Sequence, residues 1–289
     1  MTRSRTSTSG IVTLAALDVR HRADHASEMG SQLLMGEVVR VIRRAAEGRW
    51  LLVENVADGY RGWVRAWGVL LAGPRAIADW RRRARARATA LWVEAREGPG
   101  RGSLVTPLFW GARFIAGRTQ GRFRQLQLPD GVRGWVDSRA LATGGAAAPR
   151  LMDRVRGLLG VPYLWGGRTP MGMDCSGFVQ MLLGEQGCQL PRDAGDQERW
   201  CRPLGPGSRP KPGDLAFFGP RRTPAGHVGM MIGVDDYVHA RGRVRLSSLD
   251  PTNRLYDREL GAQLRGIRRP VCRALGGPKS PSWRGLHSS

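Results

Sequence analysis

Cysteine, lysine and long apolar runs are scarce in this chain of 289 residues, and each shortage excludes a class of protein. No two of the four cysteines have the Cys-x-x-Cys spacing of structural zinc sites, so we expect no metal ion. No segment approaches the ~20 apolar residues of a membrane-spanning helix, so we expect no membrane partner. The apolar run Ile11–Leu17 is too short for a secretory signal and predicts a first strand.

These shortages favour a cytoplasmic location, with secretion or the periplasm as the alternative. Disulfides are unexpected in the cytoplasm. We therefore expect Cys188, which follows Gly187 at the end of a predicted helix, to pack as a thiol.

The net charge of +22 comes almost entirely from arginine, because only Lys211 and Lys279 among the 46 basic residues are lysines. We attribute this usage to a GC-rich coding bias. A surface of this charge attracts anionic partners. The densest run, Arg81 to Arg87, is interleaved with alanine and predicts a solvated helix or an interdomain linker. No nucleic-acid-binding motif accompanies it, so we expect no nucleic-acid partner.

The first half of the chain contains a sequence repeat. Each copy has a Gly-Arg-aromatic triplet followed by Asp-Gly and then by Gly-Trp-Val; the copies run from Gly48 to Val64 and from Gly121 to Val136. Short strands with Asp-Gly turns and Gly-Trp pairs are typical of small barrels, whose cores would contain Trp50, Trp63 and Trp135. Both copies resemble bacterial SH3-like domains, at residues 11–72 and 88–143.

A cysteine at a predicted loop-to-helix junction dominates the second half. Glycines and prolines between residues 162 and 172 prevent regular structure, and apolar residues at helical spacing then predict a helix from about Cys175 to about Gly187. The first turn of a helix favours negative charge, so we expect the pKa of the Cys175 thiol to be lowered. The alternative is a small buried hydrophobic residue.

A thiolate nucleophile needs a base and a group that orients the base. Two of the five histidines, His227 and His239, flank a predicted β-hairpin: an apolar strand Val228–Gly233, a turn at Asp235 and Asp236, and a second strand from Tyr237. Such a hairpin would bring the two histidines together. Either histidine alone is more often an ordinary polar residue; the set of one cysteine and two histidines predicts a catalytic site.

Six motifs in this half resemble, in the same order, those of the NlpC-type bacterial cell-wall cysteine peptidases. They are Pro162-Tyr163-x-Trp165-Gly166-Gly167, Asp174-Cys175-Ser176-Gly177-Phe178, Leu190-Pro191-Arg192-Asp193 with Gln197, Pro212-Gly213-Asp214-Leu215, Gly226-His227-Val228-Gly229 and Val238-His239-Ala240. The resemblance implies a papain-like α+β domain at residues 150–272. It also implies that Cys175 is the nucleophile, His227 the base and His239 the orienting residue, with Tyr163 beside the oxyanion.

The expected architecture is therefore multidomain, with two small all-β SH3-like barrels followed by a papain-like α+β peptidase domain. The stretch from Thr143 to Pro149 is interpreted as a flexible linker, and residues 276–289 as a disordered tail. We expect a monomer without a cofactor.

The first barrel resembles that of the γ-D-glutamyl-diamino acid peptidases that recycle murein peptides. By this resemblance Glu28, Tyr60, Asp174 and Ser176 hold the free α-ammonium of an N-terminal L-Ala, and Trp165 also contacts the substrate. An ammonium removed from water needs a carboxylate partner, which agrees with this assignment. The alternatives are an ordinary surface-loop position for Glu28 and a packing role for Tyr60.

A guanidinium binds a carboxylate through two parallel hydrogen bonds, so Arg192 is a candidate for the D-Glu carboxylate of the substrate. The alternative is a structural salt bridge with Asp193 or Asp196. Two rival functions also stay open: a secreted endopeptidase that cuts intact wall peptides, and a wall-binding module without catalysis.

Overall fold

The computed structural model describes residues 8–143, 149–205 and 207–272, and this part of the chain divides into two compact units. The first unit comprises residues 8–143 together with Val161–Asp174. The second comprises residues 149–160 and the described residues from Cys175 onward. The expected tail at 276–289 and most of the expected linker, residues 144–148, lie outside the described residues.

The first unit begins with an antiparallel sheet of seven strands, in the order β3-β2-β6-β5-β4-β1-β7. The strands are β1 Ser9–Val12, β2 Ala16–Arg20, β3 Met29–Leu34, β4 Val38–Ala45, β5 Trp50–Asn55, β6 Arg61–Arg65 and β7 Val69–Ala72, with 3₁₀ turns at Ala46–Gly48 and Ala66–Gly68. Valines and leucines that alternate along these strands form the core, including Val19, Leu33, Leu51 and Val64.

The apolar run Ile11–Leu17 forms two strands, so the expectation of one strand was wrong. β1 pairs with β4 and β7, whereas β2 pairs with β3 and β6. The chain therefore changes partners between Val12 and Ala16. A nearly continuous apolar run does not reveal this change, because both strands contribute to the same core.

A second seven-stranded sheet repeats the strand order of the first, as β10-β9-β13-β12-β11-β8-β14. Its strands are β8 Ala86–Ala88, β9 Trp92–Gly98, β10 Arg101–Phe109, β11 Arg113–Gln120, β12 Phe123–Gln127, β13 Arg133–Asp137 and β14 Leu141–Ala142, with a 3₁₀ turn at Ser138–Ala140. Trp50, Trp63 and Trp135 are buried, as predicted. Arginines cover the corresponding tryptophans of the two copies, Arg43 over Trp63 and Arg118 over Trp135.

Helix α1, Pro74–Arg83, lies between the two sheets in sequence. It contains the first three arginines of the densest arginine run, and β8 contains Arg87. Ile77 and Trp80 pack against Ile11, and the Trp80 indole N–H donates to the Gly36 carbonyl at 3.0 Å. The helical interpretation of this run is therefore correct up to Arg83.

The segment Val161–Asp174 belongs to the first unit rather than to the unit that contains Cys175. It contains two short paired strands, β15 Arg168–Thr169 and β16 Gly172–Met173. The boundary expected at residue 150 thus differs from the division between the compact units.

The second unit consists of a six-stranded antiparallel sheet and four helices within the described residues. The helices are α2 Leu151–Leu158, α3 Cys175–Glu185, α4 Ala194–Trp200 and α5 Arg258–Ala262. The strands are β17 Cys201–Pro203, β18 Leu215–Phe218, β19 His227–Met231, β20 Asp236–Arg241, β21 Arg243–Ser248 and β22 Leu264–Pro270, in the order β17-β22-β18-β19-β20-β21. Helix α3 packs on β19 and β20.

A disulfide joins Cys188, just after α3, to Cys272, just after β22. The expectation that Cys188 packs as a thiol was therefore wrong. The partners are 84 residues apart in sequence, so the bond closes a loop that contains all six strands of the sheet and both histidines. None of the helices in the described residues is long and apolar enough to cross a membrane.

Candidate active site

Cys175 is the first residue of α3, as predicted, and is 6% exposed. The backbone N–H groups of a first helical turn have no partner within the helix, so their partial positive charge favours an anion at this position. Phe178, Val179 and Leu182 are fully buried. Helix α3 as a whole packs on β19 and β20, the two strands that carry the histidines.

Helix α4 and the loop before it fix the first turn of α3. The Gln197 side-chain amide donates to the carbonyls of Ser176, at 3.0 Å, and Pro191, at 2.9 Å. The Arg192 guanidinium donates to Ser176 Oγ at 2.8 Å, and Arg192 is only 2% exposed. Asp196, one of the expected alternative partners of Arg192, pairs with Arg199.

The predicted hairpin is confirmed, and it brings the two histidines into direct contact. β19 and β20 are adjacent antiparallel strands, with Met230 opposite Val238 and Met231 opposite Tyr237. His227 Nε2 lies 2.8 Å from His239 Nδ1. His227 is half-buried and His239 is fully buried.

Gly229 allows this arrangement because it lies between the histidines and a packed tyrosine. A Cβ atom on Gly229 would lie 2.7 Å from the Tyr237 ring and 3.3 Å from His239 Cβ. A side chain here would therefore displace the ring that packs beside His239. This contact explains why the motif Gly226-His227-Val228-Gly229 ends in glycine.

The pKa of His239 is lowered to about 3, mainly by burial and then by the charges of His227 and Arg245. His239 is therefore neutral near pH 7 and carries one ring proton. Its Nε2 lies 3.3 Å from Arg245 Nε and 3.0 Å from Ser247 Oγ. An arginine N–H only donates, so Nε2 accepts from Arg245 and the proton of His239 is on Nδ1, facing His227.

The position of the His239 proton determines which nitrogen of His227 is protonated. With the His239 proton on Nδ1, His227 Nε2 accepts it, and a neutral His227 then carries its own proton on Nδ1. If His227 becomes an imidazolium, both of its nitrogens carry protons and His239 Nδ1 must accept instead. The His239 proton then lies on Nε2, where the Ser247 hydroxyl is the acceptor. Arg245 and Ser247 thus favour opposite states of the histidine pair.

Cys201 is the second described cysteine outside the disulfide, and its environment differs from that of Cys175. It lies at the start of β17, and burial raises the pKa of its thiol to about 12. Such a thiol stays protonated and unreactive near neutral pH.

The remaining predicted site residues belong to the first unit. Tyr163 is half-buried and forms a bridge with Met173, two residues before Cys175. Asp174 is buried, and its Oδ2 accepts from the Gly166 N–H at 2.9 Å. The Trp165 side chain is 58% exposed.

Glu28 and Tyr60 both lie near His21, an exposed histidine that the sequence analysis did not identify as a site residue. His21 Nδ1 is 3.7 Å from Glu28 Oε2. Both His21 Nε2 and the Tyr60 hydroxyl lie over Gly30, within 2.6 and 2.2 Å of where its Cβ would be.

The sequence analysis also missed three further residues: Arg168, Arg245 and Ser247. Arg245 faces His239 across β20 and β21, so extending the predicted hairpin by one strand could have identified it.

Comparison with known proteins gives the family of this second half. Residues 160–264 match the NlpC/P60 family. This part of the chain is therefore similar to the NlpC/P60 family. Residues 19–67 match the bacterial dipeptidyl-peptidase SH3 domain, so the NlpC/P60 domain follows an SH3-like domain.

Two of the curated relatives each match about a third of this chain. The chain is 37% identical over 107 residues to a γ-D-glutamyl-L-lysine dipeptidyl-peptidase of Bacillus subtilis, covering 36% of each chain. It is 41% identical over 92 residues to the murein DD-endopeptidase MepS/murein LD-carboxypeptidase of Escherichia coli K12, covering 32% of this chain and 48% of that one. The matches thus span about a third to a half of these relatives.

Solved structures match more of the fold. An NlpC/P60 family protein from Bacillus cereus superposes with a TM-score of 0.76 at 19% identity, covering 92% of this chain and 100% of that one. An NlpC/P60 endopeptidase from Photobacterium damselae gives 0.66 at 16% identity, covering 84% and 66%. At these identities the likeness concerns the fold. Within the described residues, no group of histidine, cysteine and acidic side chains is arranged to hold a metal ion.

Proposed function

We propose that the protein is a cysteine peptidase that hydrolyses the γ-D-glutamyl-diamino acid bond of murein peptides with a free N-terminal L-Ala. The observation that carries this proposal is the histidine pair, bonded at 2.8 Å on the two strands against which the Cys175 helix packs. The NlpC/P60 relative named as a γ-D-glutamyl-L-lysine dipeptidyl-peptidase supports the choice of bond.

The reaction we propose is an acyl transfer through a thioester. His227 acts as the base in the state in which its Nε2–H donates to His239 Nδ1 and the His239 Nε2–H donates to Ser247, so that its unprotonated Nδ1 takes the Cys175 proton. The resulting thiolate attacks the γ-carbonyl carbon of D-Glu. The oxyanion accepts hydrogen bonds from the Cys175 N–H and the Tyr163 hydroxyl. When the C–N bond breaks, His227 donates its proton to the leaving amine. Water then attacks the thioester, its proton passes to His227, and the thiolate is restored.

His239 orients His227 in this scheme, because their hydrogen bond determines which nitrogen of His227 faces away from it. Ser247 supports the imidazolium state by accepting the His239 proton at Nε2. Because His239 is buried and uncharged, it holds the ring of His227 in place and does not compete with His227 for the catalytic proton.

We assign recognition of the substrate amine to four residues: Glu28, Tyr60, Asp174 and Ser176. Glu28 is exposed and lies beside Tyr60 through His21. Asp174 immediately precedes the nucleophile in sequence. Opposite charges in a partly dry site favour a bound ammonium, whereas an acetylated amine would leave the carboxylates without a cation.

The second seven-stranded sheet is proposed to be a further SH3-like domain. It repeats the strand order of the first sheet, and both contain the buried tryptophan of Gly-Trp-Val under an arginine. We propose an accessory role for it, since none of the predicted site residues lies in its strands.

A second candidate function is cleavage of intact peptidoglycan outside the cytoplasm. The disulfide between Cys188 and Cys272 favours it, because disulfides persist in oxidising compartments and are rare in the cytoplasm. Recycling of free peptides and trimming of intact wall require the same chemistry but differ in the substrate's N-terminus.

The two candidates are distinguished by digesting L-Ala-γ-D-Glu-L-Lys and its N-acetylated form with the purified protein, with products measured by mass spectrometry. Cleavage of the free-amine peptide alone supports recycling. Cleavage of both peptides at similar rates supports wall remodelling and removes the amine-binding role of Glu28. Cleavage of neither contradicts both and favours a binding module.

A further inference from the structure

The loop Val161–Asp174 leads into the nucleophile, and two hydrogen bonds hold its last residue, Asp174. We call this segment the approach loop. The Asp174 N–H donates to the Gly167 carbonyl at 3.2 Å, and the Asp174 carboxylate accepts from the Gly166 N–H at 2.9 Å. Cys175 follows Asp174 directly, so their Cα atoms are about 3.8 Å apart. Any displacement of the approach loop is therefore transmitted covalently to the first turn of α3.

The approach loop is anchored to the first barrel by one buried arginine. Arg168 is 5% exposed, and its guanidinium binds Glu37 through two contacts, at 3.1 and 3.2 Å. It also donates to the Gln32 carbonyl at 2.7 Å, and the Arg168 N–H donates to Gln32 Oε1 at 3.1 Å. The planar guanidinium can donate two parallel hydrogen bonds to a carboxylate, and a lysine ammonium cannot reproduce this geometry.

Arg168 also takes part in the strand pairing within the approach loop. Arg168 in β15 lies opposite Met173 in β16, the residue before Asp174. The charge of Arg168 is also stabilised by Asp174 itself. A short chain of contacts thus joins Glu37 of the barrel to the residue that precedes the nucleophile.

A backbone contact holds the same loop at a second point. Gly166 has a φ of +76°. A Cβ atom on it would lie 2.5 Å from the Met29 carbonyl oxygen. The loop backbone therefore lies directly on the start of β3, at a distance that only glycine permits.

We propose that Arg168 and Glu37 are positioning residues for Cys175, so that the first barrel determines the geometry of the nucleophile as well as the choice of substrate. This inference rests on the proposed peptidase function. It differs from a purely structural role, because a buried ion pair that only stabilises the fold would not change the reactivity of one thiol.

Arg168→Lys tests the inference, since lysine keeps the charge and loses the two-point fit to Glu37. We expect kcat to fall about 10- to 100-fold, because small misplacements of reacting groups have effects of this size. KM should change less than threefold. The rate of Cys175 alkylation by iodoacetamide should also fall several-fold. This second readout needs no substrate, and peptide mapping separates Cys175 from the buried Cys201.

The matched control is Arg154→Lys, in a buried pair of the same type. Arg154 and Glu185 are 8% and 7% exposed and make two contacts, at 2.9 and 2.7 Å. This variant should lower the unfolding temperature to a similar extent and leave kcat and alkylation unchanged. If both lysine variants lower kcat equally, or if Arg168→Lys keeps kcat and alkylation within twofold of the native protein, the positioning role is overturned.

A double variant, Glu37→Gln with Arg168→Gln, provides the test if the lysine variant does not fold, because it leaves no buried charge unpaired. The same losses of kcat and alkylation rate are expected, and native values of both overturn the inference. Should the native protein cleave no murein peptide, the proposed function fails, while the alkylation rates still decide the positioning role.

Discussion

Burial of His239 makes the stability of the second unit depend on pH in a defined direction. The folded protein lowers the pKa of His239 to about 3 from the ordinary value of 6.5. Between these two pH values, His239 is therefore protonated in the unfolded chain and neutral in the folded chain. The stabilisation is fully present above pH 6.5 and is lost as the pH falls from 6.5 toward 3.

The size of the loss follows from the two pKa values. Between pH 7.5 and pH 4.5, linkage predicts that His239 removes about 3 kcal/mol from the free energy of unfolding. This is a large part of the stability of an ordinary domain. Other groups titrate over the same range, so the quantity of interest is the difference between the native protein and His239→Gln, which has no ring to protonate.

The assay is urea unfolding with pulsed hydrogen exchange, measured on the peptide that contains β20, so that the second unit is followed by itself. We expect the native protein to lose about 2 to 3 kcal/mol more than His239→Gln between the two pH values. Equal losses in the two proteins would refute the reasoning, because His239 would then titrate alike in both states.

Three further predictions concern recognition, the histidine pair and the disulfide. Glu28→Gln should raise KM for a free-amine peptide about tenfold or more through loss of a charge-assisted bond, without affecting an acetylated one; equal effects on both would remove its role. Arg245→Met should move the pH profile of kcat/KM upward by as much as about one unit, because it removes the donor to His239 Nε2 that opposes the imidazolium state of His227; an unchanged profile would contradict the proton assignment. Replacing Cys188 and Cys272 by serine should cost about 4 to 5 kcal/mol by loop-closure entropy, measured by urea unfolding; insensitivity to this change and to reductant would contradict the disulfide.

The elements that carry Cys175, His227 and His239 were predictable because their signals are local. Apolar residues at helical spacing after Cys175 gave α3, and an apolar run with an Asp-Asp turn gave the hairpin that joins His227 to His239. The sequence repeat likewise anticipated two sheets, and the structure gives them the same strand order.

The features that were missed depend on contacts between distant parts of the chain. The disulfide joins residues 84 positions apart, and nothing near Cys188 or Cys272 specifies a partner. Arg168 contacts Gln32 and Glu37, more than 130 residues away in sequence. Its role as an anchor could not be predicted from a local motif, since the arginine lies in the glycine-rich loop before Cys175 and the glutamate lies in the turn between β3 and β4.

The central claim is that Cys175 is the nucleophile, and it is tested most directly by comparing Cys175→Ala with Cys201→Ala. Both variants remove a buried thiol, but only Cys175 lies at the start of a helix beside the histidine-bearing strands. Hydrolysis of L-Ala-γ-D-Glu-L-Lys should disappear in Cys175→Ala, with the unfolding temperature retained, and should persist in Cys201→Ala. Turnover by Cys175→Ala at the native rate, or its loss in Cys201→Ala alone, would contradict the account.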